Sequence, residues 1–258
     1  MAGIRLWYQS YVDEENGRNY WTHLRAHLAR LVDDGTTVEI HGITPHDSYP
    51  HPLMEWRCAR EMIANAIRAE REGYDAVVVG HFQDAGLHEA RSAVGIPVLG
   101  LGETTMLNAC MLGERVGIVS LKHGYEPWFR RQIRTYGLDS RIAGPFNLDV
   151  RPEVQAAAWT DADARTALFD GLRAQMRPIV AAGVEVLVPS GGGPMSLLSA
   201  MGDVDGAPVV DGTAITVKTA EMMVKLGRLN GLSTSRAGAF RRAPPDVVEQ
   251  FLTHPKGL

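Results

Sequence analysis

The sequence lacks most of the features that assign a chain to a class at once. It has two cysteines in 258 residues, each inside an apolar-periodic stretch, WRCAREMIANAI for Cys58 and MLNACMLG for Cys110. Free cysteine is a small core residue, so the pair reads as core packing on helices, not as a disulfide or a metal couple. No apolar run approaches the roughly 20 residues of a membrane span. The start, MAGIRLWYQS, has neither the basic region nor the apolar centre of a secretory leader, and the expectation is a cytoplasmic protein with no membrane partner. A net charge of −4 with no basic stripe argues against a nucleic-acid partner. The GKS/T ending of a phosphate-binding loop, the dinucleotide GxGxxG and the HExxH of zinc enzymes are all missing. His41, His46 and His51 are spread through HGITPHDSYPHP. With His81 they can be pictured around a metal, but a Pro-rich segment with scattered histidines reads as a loop or lid, and no metal is assigned. What remains is an ordinary globular composition, 45% hydrophobic and 22% charged, suited to a small-molecule substrate.

Two stretches organise the chain. Ala76 to Gly86, AVVVGHFQDAG, is an apolar run stopped by Gly80 and followed by His81, Phe82, Gln83 and Asp84. Such a run reads as a buried parallel strand, and open α/β sheets bind ligands just past the C-terminal ends of their strands. Val184 to Met195, VEVLVPSGGGPM, repeats the design with Ser190, Gly191, Gly192 and Gly193 at its tip, and the two loops are expected to face one another.

Further strands are predicted at Ile4 to Gln9, Thr37 to Ile40, Ile96 to Leu99, Val116 to Ser120 and Ala207 to Val210, with a weak one at Arg141 to Phe146. Amphipathic helices are predicted between them, including Leu53 to Arg71, one closed by Gly113, Ala162 to Ala182, and Thr213 to Leu226 with Gly227 just past its end. Strand and helix alternate, which implies parallel sheets with right-handed crossovers. Ile96-Pro97-Val98 and Ala207-Pro208-Val209 recur after the two loops, as duplicated lobes around a cleft would require. The expected division is residues 1–100 with 212–258, and residues 101–211. The basic, proline-broken tail reads as a surface arm or an oligomer contact, and a homo-oligomer is expected.

The succession WYQS, GHFQDAGL, IPVLGLGE, the glycine-rich second loop, VVDGTAITVKTAE and STSRAGAF resembles the aspartate/glutamate/hydantoin racemase superfamily, nearest its hydantoin racemase branch. The resemblance runs over nearly the whole chain. It implies an α/β protein of two flavodoxin-like lobes with parallel sheets related by a pseudo-twofold axis, an active site in the cleft between them, and no cofactor. It also implies two cysteines, one past a strand of each lobe, that deprotonate and reprotonate an acidic carbon from opposite faces. Here the first cysteine position matches His81, and the second falls in Ser190 to Gly193, most simply at Gly191. Cys58 and Cys110, read as mid-helix residues, cannot replace them.

A histidine moves protons near pH 7, its reference pKa being about 6.5. On the other loop Ser190 holds the only side-chain proton, and an unactivated hydroxyl is a poor base. The residues therefore favour one-base chemistry: decarboxylation with reprotonation on one face, tautomerisation, ring-opening hydrolysis or elimination. The resemblance favours a racemase or isomerase acting on a small cyclic amide, amino acid or carboxylic acid. Gly191, Gly192 and Gly193 serve either as an anion nest or as a tight turn. Glu103 is either a further acid/base contacting substrate or a helix N-terminal charge. Gln9, Ser10, Gln83, Ser120 and His123 stand at strand ends as substrate donors. Two other classes stay open: a two-lobed binding protein that has lost catalysis, and a metal hydrolase built on the histidine-rich loop.

Overall fold

Short apolar strands with both faces covered form two parallel sheets, seen in a computed structural model that describes residues 3–254. The first two residues of the N-terminal stretch and the last four of the tail lie outside the described residues. The first sheet joins β1 (Ile4–Gln9), β2 (Thr36–His41), β3 (Ala76–Val79) and β4 (Val98–Gly100) in the order β2-β1-β3-β4. Between them run α1 (Arg18–Leu31), α2 (Pro52–Arg71) and α3 (Leu87–Ala93). After α4 (Leu101–Ala109), the second sheet joins β5 (Val116–Ser120), β6 (Ile142–Asn147) and β7 (Val186–Pro189) in the order β6-β5-β7. Its helices are α5 (Glu126–Thr135), α6 (Pro152–Ala157), α7 (Ala162–Ala181) and α8 (Gly192–Leu198). A small antiparallel pair, β8 (Asp203–Val204) and β9 (Ala207–Pro208), precedes α9 (Gly212–Asn230) and α10 (Pro245–Thr253). Among the described residues no helix is long and apolar enough to cross a membrane.

The alternation of side chains along β1 explains the unbroken apolar runs. Trp7 enters the core under α2 and α3 with Met62, Val77 and Val79, whereas Leu6 and Tyr8 enter the opposite core with Leu24 of α1 and Val217 and Ala220 of α9. Both faces are dry from Leu6 to Tyr8, so those positions are apolar, whereas Arg5 near the start of the strand is exposed. Register then fixes where the polar ends emerge. Gln9 pairs with Val79 across β1 and β3, and Val119 pairs with Pro189 across β5 and β7. Ser10 therefore comes out beside Gly80 and His81, and Ser120 beside Ser190.

Several elements differ from the sequence expectations. α4 ends at Ala109 rather than at Gly113, so Cys110 caps it instead of lying mid-helix; both cysteines are free. α9 runs through Gly227 to Asn230 and stops at Gly231, the residue with the left-handed φ of 77° that ends a helix. α6, α8 and α10 had no periodicity long enough to be read. The tail is docked on its own chain: Val248, Phe251 and Leu252 of α10 pack against the Trp7 core. Arg236 donates to the carbonyls of Arg91 and Val94 at 2.7 Å each.

The lobes meet at Asp84, a buried residue with a left-handed φ of 53°. Its carboxylate accepts from the N–H groups of Gly102 (3.0 Å) and Glu103 (2.6 Å) at the start of α4, and from Gln132 Nε2 (3.2 Å) and the Tyr136 hydroxyl (2.8 Å) at the end of α5. Burial pushes this carboxyl up to about 7 against the Tyr136, Glu103 and Gly102 donors. Asp84→Asn turns an NH₂ toward at least one of them, leaving buried donors facing each other, and is expected to cost about 1 to 3 kcal/mol in urea unfolding at neutral pH. A raised acid contributes most below its ordinary value of 3.8 and loses that contribution as pH rises to about 7. Stability of the natural protein should fall across that window, and the asparagine variant should lack the slope.

Candidate active site

A cavity of about 220 Å³ opens between the C-terminal ends of the two sheets. One wall carries Ser10, Tyr11, Gly80, His81 and Gln83; the facing wall carries Ser120, Ser190 and the three glycines Gly191, Gly192 and Gly193. The two loops that organise the sequence do face one another. The floor of each wall is built alike. Ser10 Oγ donates to the Val12 carbonyl at 2.8 Å, and Ser120 Oγ donates to the Lys122 carbonyl at 2.7 Å. Each hydroxyl closes a tight turn after the first strand of its lobe, leaving its acceptor capacity shared with the turn N–H.

His81 is the imidazole of the first wall. Its Nε2 lies 3.0 and 3.2 Å from the two carboxylate oxygens of Glu55 and 3.8 Å from Asp47 Oδ2. Its ring stacks on Tyr11, centroids 4.1 Å apart and planes 7° from parallel. The side chains of His81, Glu55 and Asp47 are 12%, 6% and 5% exposed. Burial pulls the imidazole pKa down, but the Glu55 charge and hydrogen bond, then Asp47 and Asp84, more than reverse this, so it stands above its ordinary 6.5. Burial, reinforced by Glu55 and opposed by His81, holds the Asp47 carboxyl above its usual range. Asp47 Oδ2 accepts from the Tyr125 hydroxyl at 3.4 Å, and Oδ1 has no partner. Among the described residues, Asp47, Glu55 and His81 are the group that can hold a metal ion, their donor atoms lying within 4.8 Å of one another.

The second wall has a different chemistry. Gly191 has φ 98° and ψ 138°, a conformation essentially confined to glycine, and it turns the chain from β7 into α8. The first N–H groups of a helix have no intrahelical acceptor, so this loop offers donors and only Ser190, itself buried, offers a side-chain proton.

The other candidates are distributed unevenly. Ser10, Gln83 and Ser120 line the cavity. Gln9 does not: its amide donates to the Ser10 and His41 carbonyls, and its oxygen accepts from Trp7 Nε1 and Asn65, which uses its full capacity inside the first lobe. Glu103 is bound in both oxygens to Arg91 at the start of α4, away from the cavity lining, where the helix-terminus alternative applies. His123 is exposed beside Asp149 at 3.3 Å. His41 stacks on Trp7, His46 lies 3.6 Å from Asp13, and His51 caps α2 by accepting from the Leu53 N–H; they share no centre.

Asp47, Glu55 and Tyr125 are not singled out by the sequence. Glu55 did leave a signal: with Cys58 and Met62 it forms an i, i+3, i+7 row, so a carboxylate interrupts an otherwise apolar helix face. Asp47 left none, since its approach to His81 depends on the path of a loop.

A family model described as Asp/Glu/Hydantoin racemase matches residues 19–220. A hydantoin racemase from Pseudomonas sp. (strain NS671) is 26% identical over 161 residues, 62% of this chain and 63% of that protein, just under two thirds of its length. Among solved structures, allantoin racemase from Klebsiella pneumoniae superposes with a TM-score of 0.77 at 23% identity, covering 94% of each chain. A liganded variant of arylmalonate decarboxylase superposes with a TM-score of 0.58 at 18% identity, covering 93% of this chain and 98% of that one. At these identities the structural matches speak for a shared fold.

Proposed function

The chain belongs to the Asp/Glu/hydantoin racemase family, and on that premise we propose that it is a cofactor-independent enzyme that transfers a proton on one face of an acidic carbon. The substrate class is a small cyclic amide, amino acid or carboxylic acid, and His81 carries the proton. One observation carries this reading: a histidine backed by two buried carboxylates stands on one wall, while the glycine loop opposite presents N–H groups and Ser190, with Ser120, Lys122 and Tyr125 on the same side of the cavity.

The roles follow from these groups. A carboxylate or imide oxygen of the substrate takes the donors of Gly191 to Gly193, which stabilise the enolate that forms when the acidic carbon gains negative charge. His81 takes up or delivers the proton on its own side. Inversion needs a second acid/base opposite, and Ser190 has no neighbouring base to activate it among the described residues. The racemase assignment is supported by the family; the one-face outcome is supported by the residues, and the fold likeness to a decarboxylase shows that this architecture is not confined to racemisation.

Incubation of enantiopure 5-substituted hydantoins, amino acids and substituted malonates in heavy water tests the reading. The expected result is deuterium at the acidic carbon, or carbon dioxide release, with one enantiomer retained or formed. Equal formation of both enantiomers would refute the one-face mechanism. Tight calorimetric binding of these compounds with no exchange, ring opening or gas release would instead identify a binding protein.

A further inference from the structure

We infer that Glu55 and Asp47 are the positioning pair of His81: Glu55 holds Nε2, which leaves Nδ1 as the atom that carries the proton between ring and substrate, and Asp47 ties the pair to the second lobe. The inference rests on the reading of His81 as the proton carrier and assigns the atom and the supporting groups.

Glu55 makes the first part of the case. Both its carboxylate oxygens lie within hydrogen-bond reach of Nε2, and the carboxylate has no other hydrogen-bond partner among the described residues. A carboxylate so nearly enclosed is costly unless something offsets its charge, and the one group placed to do so is the imidazole. Bound to Glu55 through Nε2–H, the neutral ring keeps its lone pair on Nδ1, for which no protein partner is found among the described residues. The ring is held against rotation by the parallel face of Tyr11, whose hydroxyl donates to the Ala85 carbonyl at 2.6 Å.

Asp47 makes the second. It is anchored to the first lobe by its N–H, which donates to the Tyr11 carbonyl at 2.8 Å, and to the second lobe by the Tyr125 hydroxyl on its Oδ2. The charged and titratable groups facing the ring are Glu55 from α2, Asp47 from the loop after β2, Tyr11 after β1 and Asp84 on its own loop. Tyr125 beside α5 and Lys122 after β5 face the cavity from the other side. Two carboxylates against one imidazole favour the imidazolium, the form that delivers a proton from Nδ1; once that proton has left, the neutral ring, its Nε2–H still on Glu55, takes one up at Nδ1.

Long-range ¹H–¹⁵N spectra of the full-length ¹⁵N-labelled protein, with the His81 signals assigned by their loss in His81→Asn, read this directly and without a substrate. The wild-type ring should titrate above 6.5 and be the Nε2–H tautomer when neutral. Glu55→Gln, which keeps the shape and an acceptor, should lower the midpoint by about 1 to 3 pH units; Glu55→Asp should restore the charge but not the tautomer preference; Asp47→Asn should lower the midpoint less. Unchanged midpoint and tautomer in Glu55→Gln and Asp47→Asn would overturn the inference. So would one equivalent of tightly bound zinc or manganese, found by metal analysis of wild type and lost in both variants, which would make the three residues an ion site. If the spectra behave as expected while His81→Ala retains full turnover, the positioning stands and the proton-carrier reading fails.

Discussion

His81→Ala is expected to lower turnover, and deuterium exchange at the acidic carbon, by about 10² to 10⁴-fold, the range a positioned acid/base contributes. The loss should fall on kcat more than on KM, because the oxygens of the substrate are held by the facing glycine loop and the proton is needed only as charge develops. The same change has a stability signature. With the imidazole gone, Glu55 and Asp47 face each other in a buried space, and they can hold their charges only at a cost. The sign of the pH dependence follows from the raised pKa of His81. Its ion pair contributes fully below 6.5, the ordinary value, and the contribution is lost as pH rises through the higher native value. The deficit of the alanine variant in urea unfolding should therefore be largest in mild acid and shrink toward alkaline pH. A variant with full turnover would remove His81 from the chemistry; a deficit that grows with pH would remove the ion pair.

The second large effect is expected at Gly192, through geometry alone. A Cβ there would lie 2.7 Å from the Gly80 carbonyl oxygen and 3.2 Å from the Tyr20 hydroxyl. Gly80 cannot recede, because its N–H is bonded to the Gln9 carbonyl at 2.8 Å, so Gly192→Ala must push the second loop away from the first. A displacement near 1 Å between reacting groups costs about 10²-fold in rate, and that is the expected loss in kcat/KM. Two neighbours serve as controls. Gly193→Ala meets its nearest atoms, in Trp159 and Tyr20, at 3.9 Å and should be close to neutral. Gly191→Ala has room but must hold φ 98°, and should cost about 1 to 3 kcal/mol of stability. Equal losses in all three would mean that the loop tolerates no side chain for reasons other than the approach to Gly80.

The framework was readable because burial on both faces forces unbroken apolar strands: β3, β5 and β7 are buried throughout, and β1 from Leu6 onward. The strand ends were readable for the same reason: His81, Ser190 and the glycines stand where such runs stop. What escaped depended on contacts made across the chain. Gln9 looked like a substrate donor by position, and only the paths of Trp7, His41 and Asn65 around it show its capacity spent. Glu55 is a charge on an amphipathic helix, where charge usually faces solvent, and only its row with Cys58 and Met62 turns it inward. Asp47 meets His81 from a loop 34 positions earlier. α8 was hidden by composition, since three glycines and a proline spell a turn, yet Pro194 in its first turn is where a helix accepts proline.

The return of α9 to the first sheet also sets an order of assembly. Val217, Ala220 and Val224 cover the face that Leu6, Tyr8 and Val78 present, and they are made more than a hundred residues after those strands. At about 5 to 20 residues per second on the ribosome, the first sheet waits on the order of ten seconds with that face covered by Leu24 and Leu28 of α1 but not yet by α9, while β5, β6 and β7 of the second sheet have already emerged. The half of the molecule that is synthesised first is thus the half that finishes last, and it is the one that carries His81.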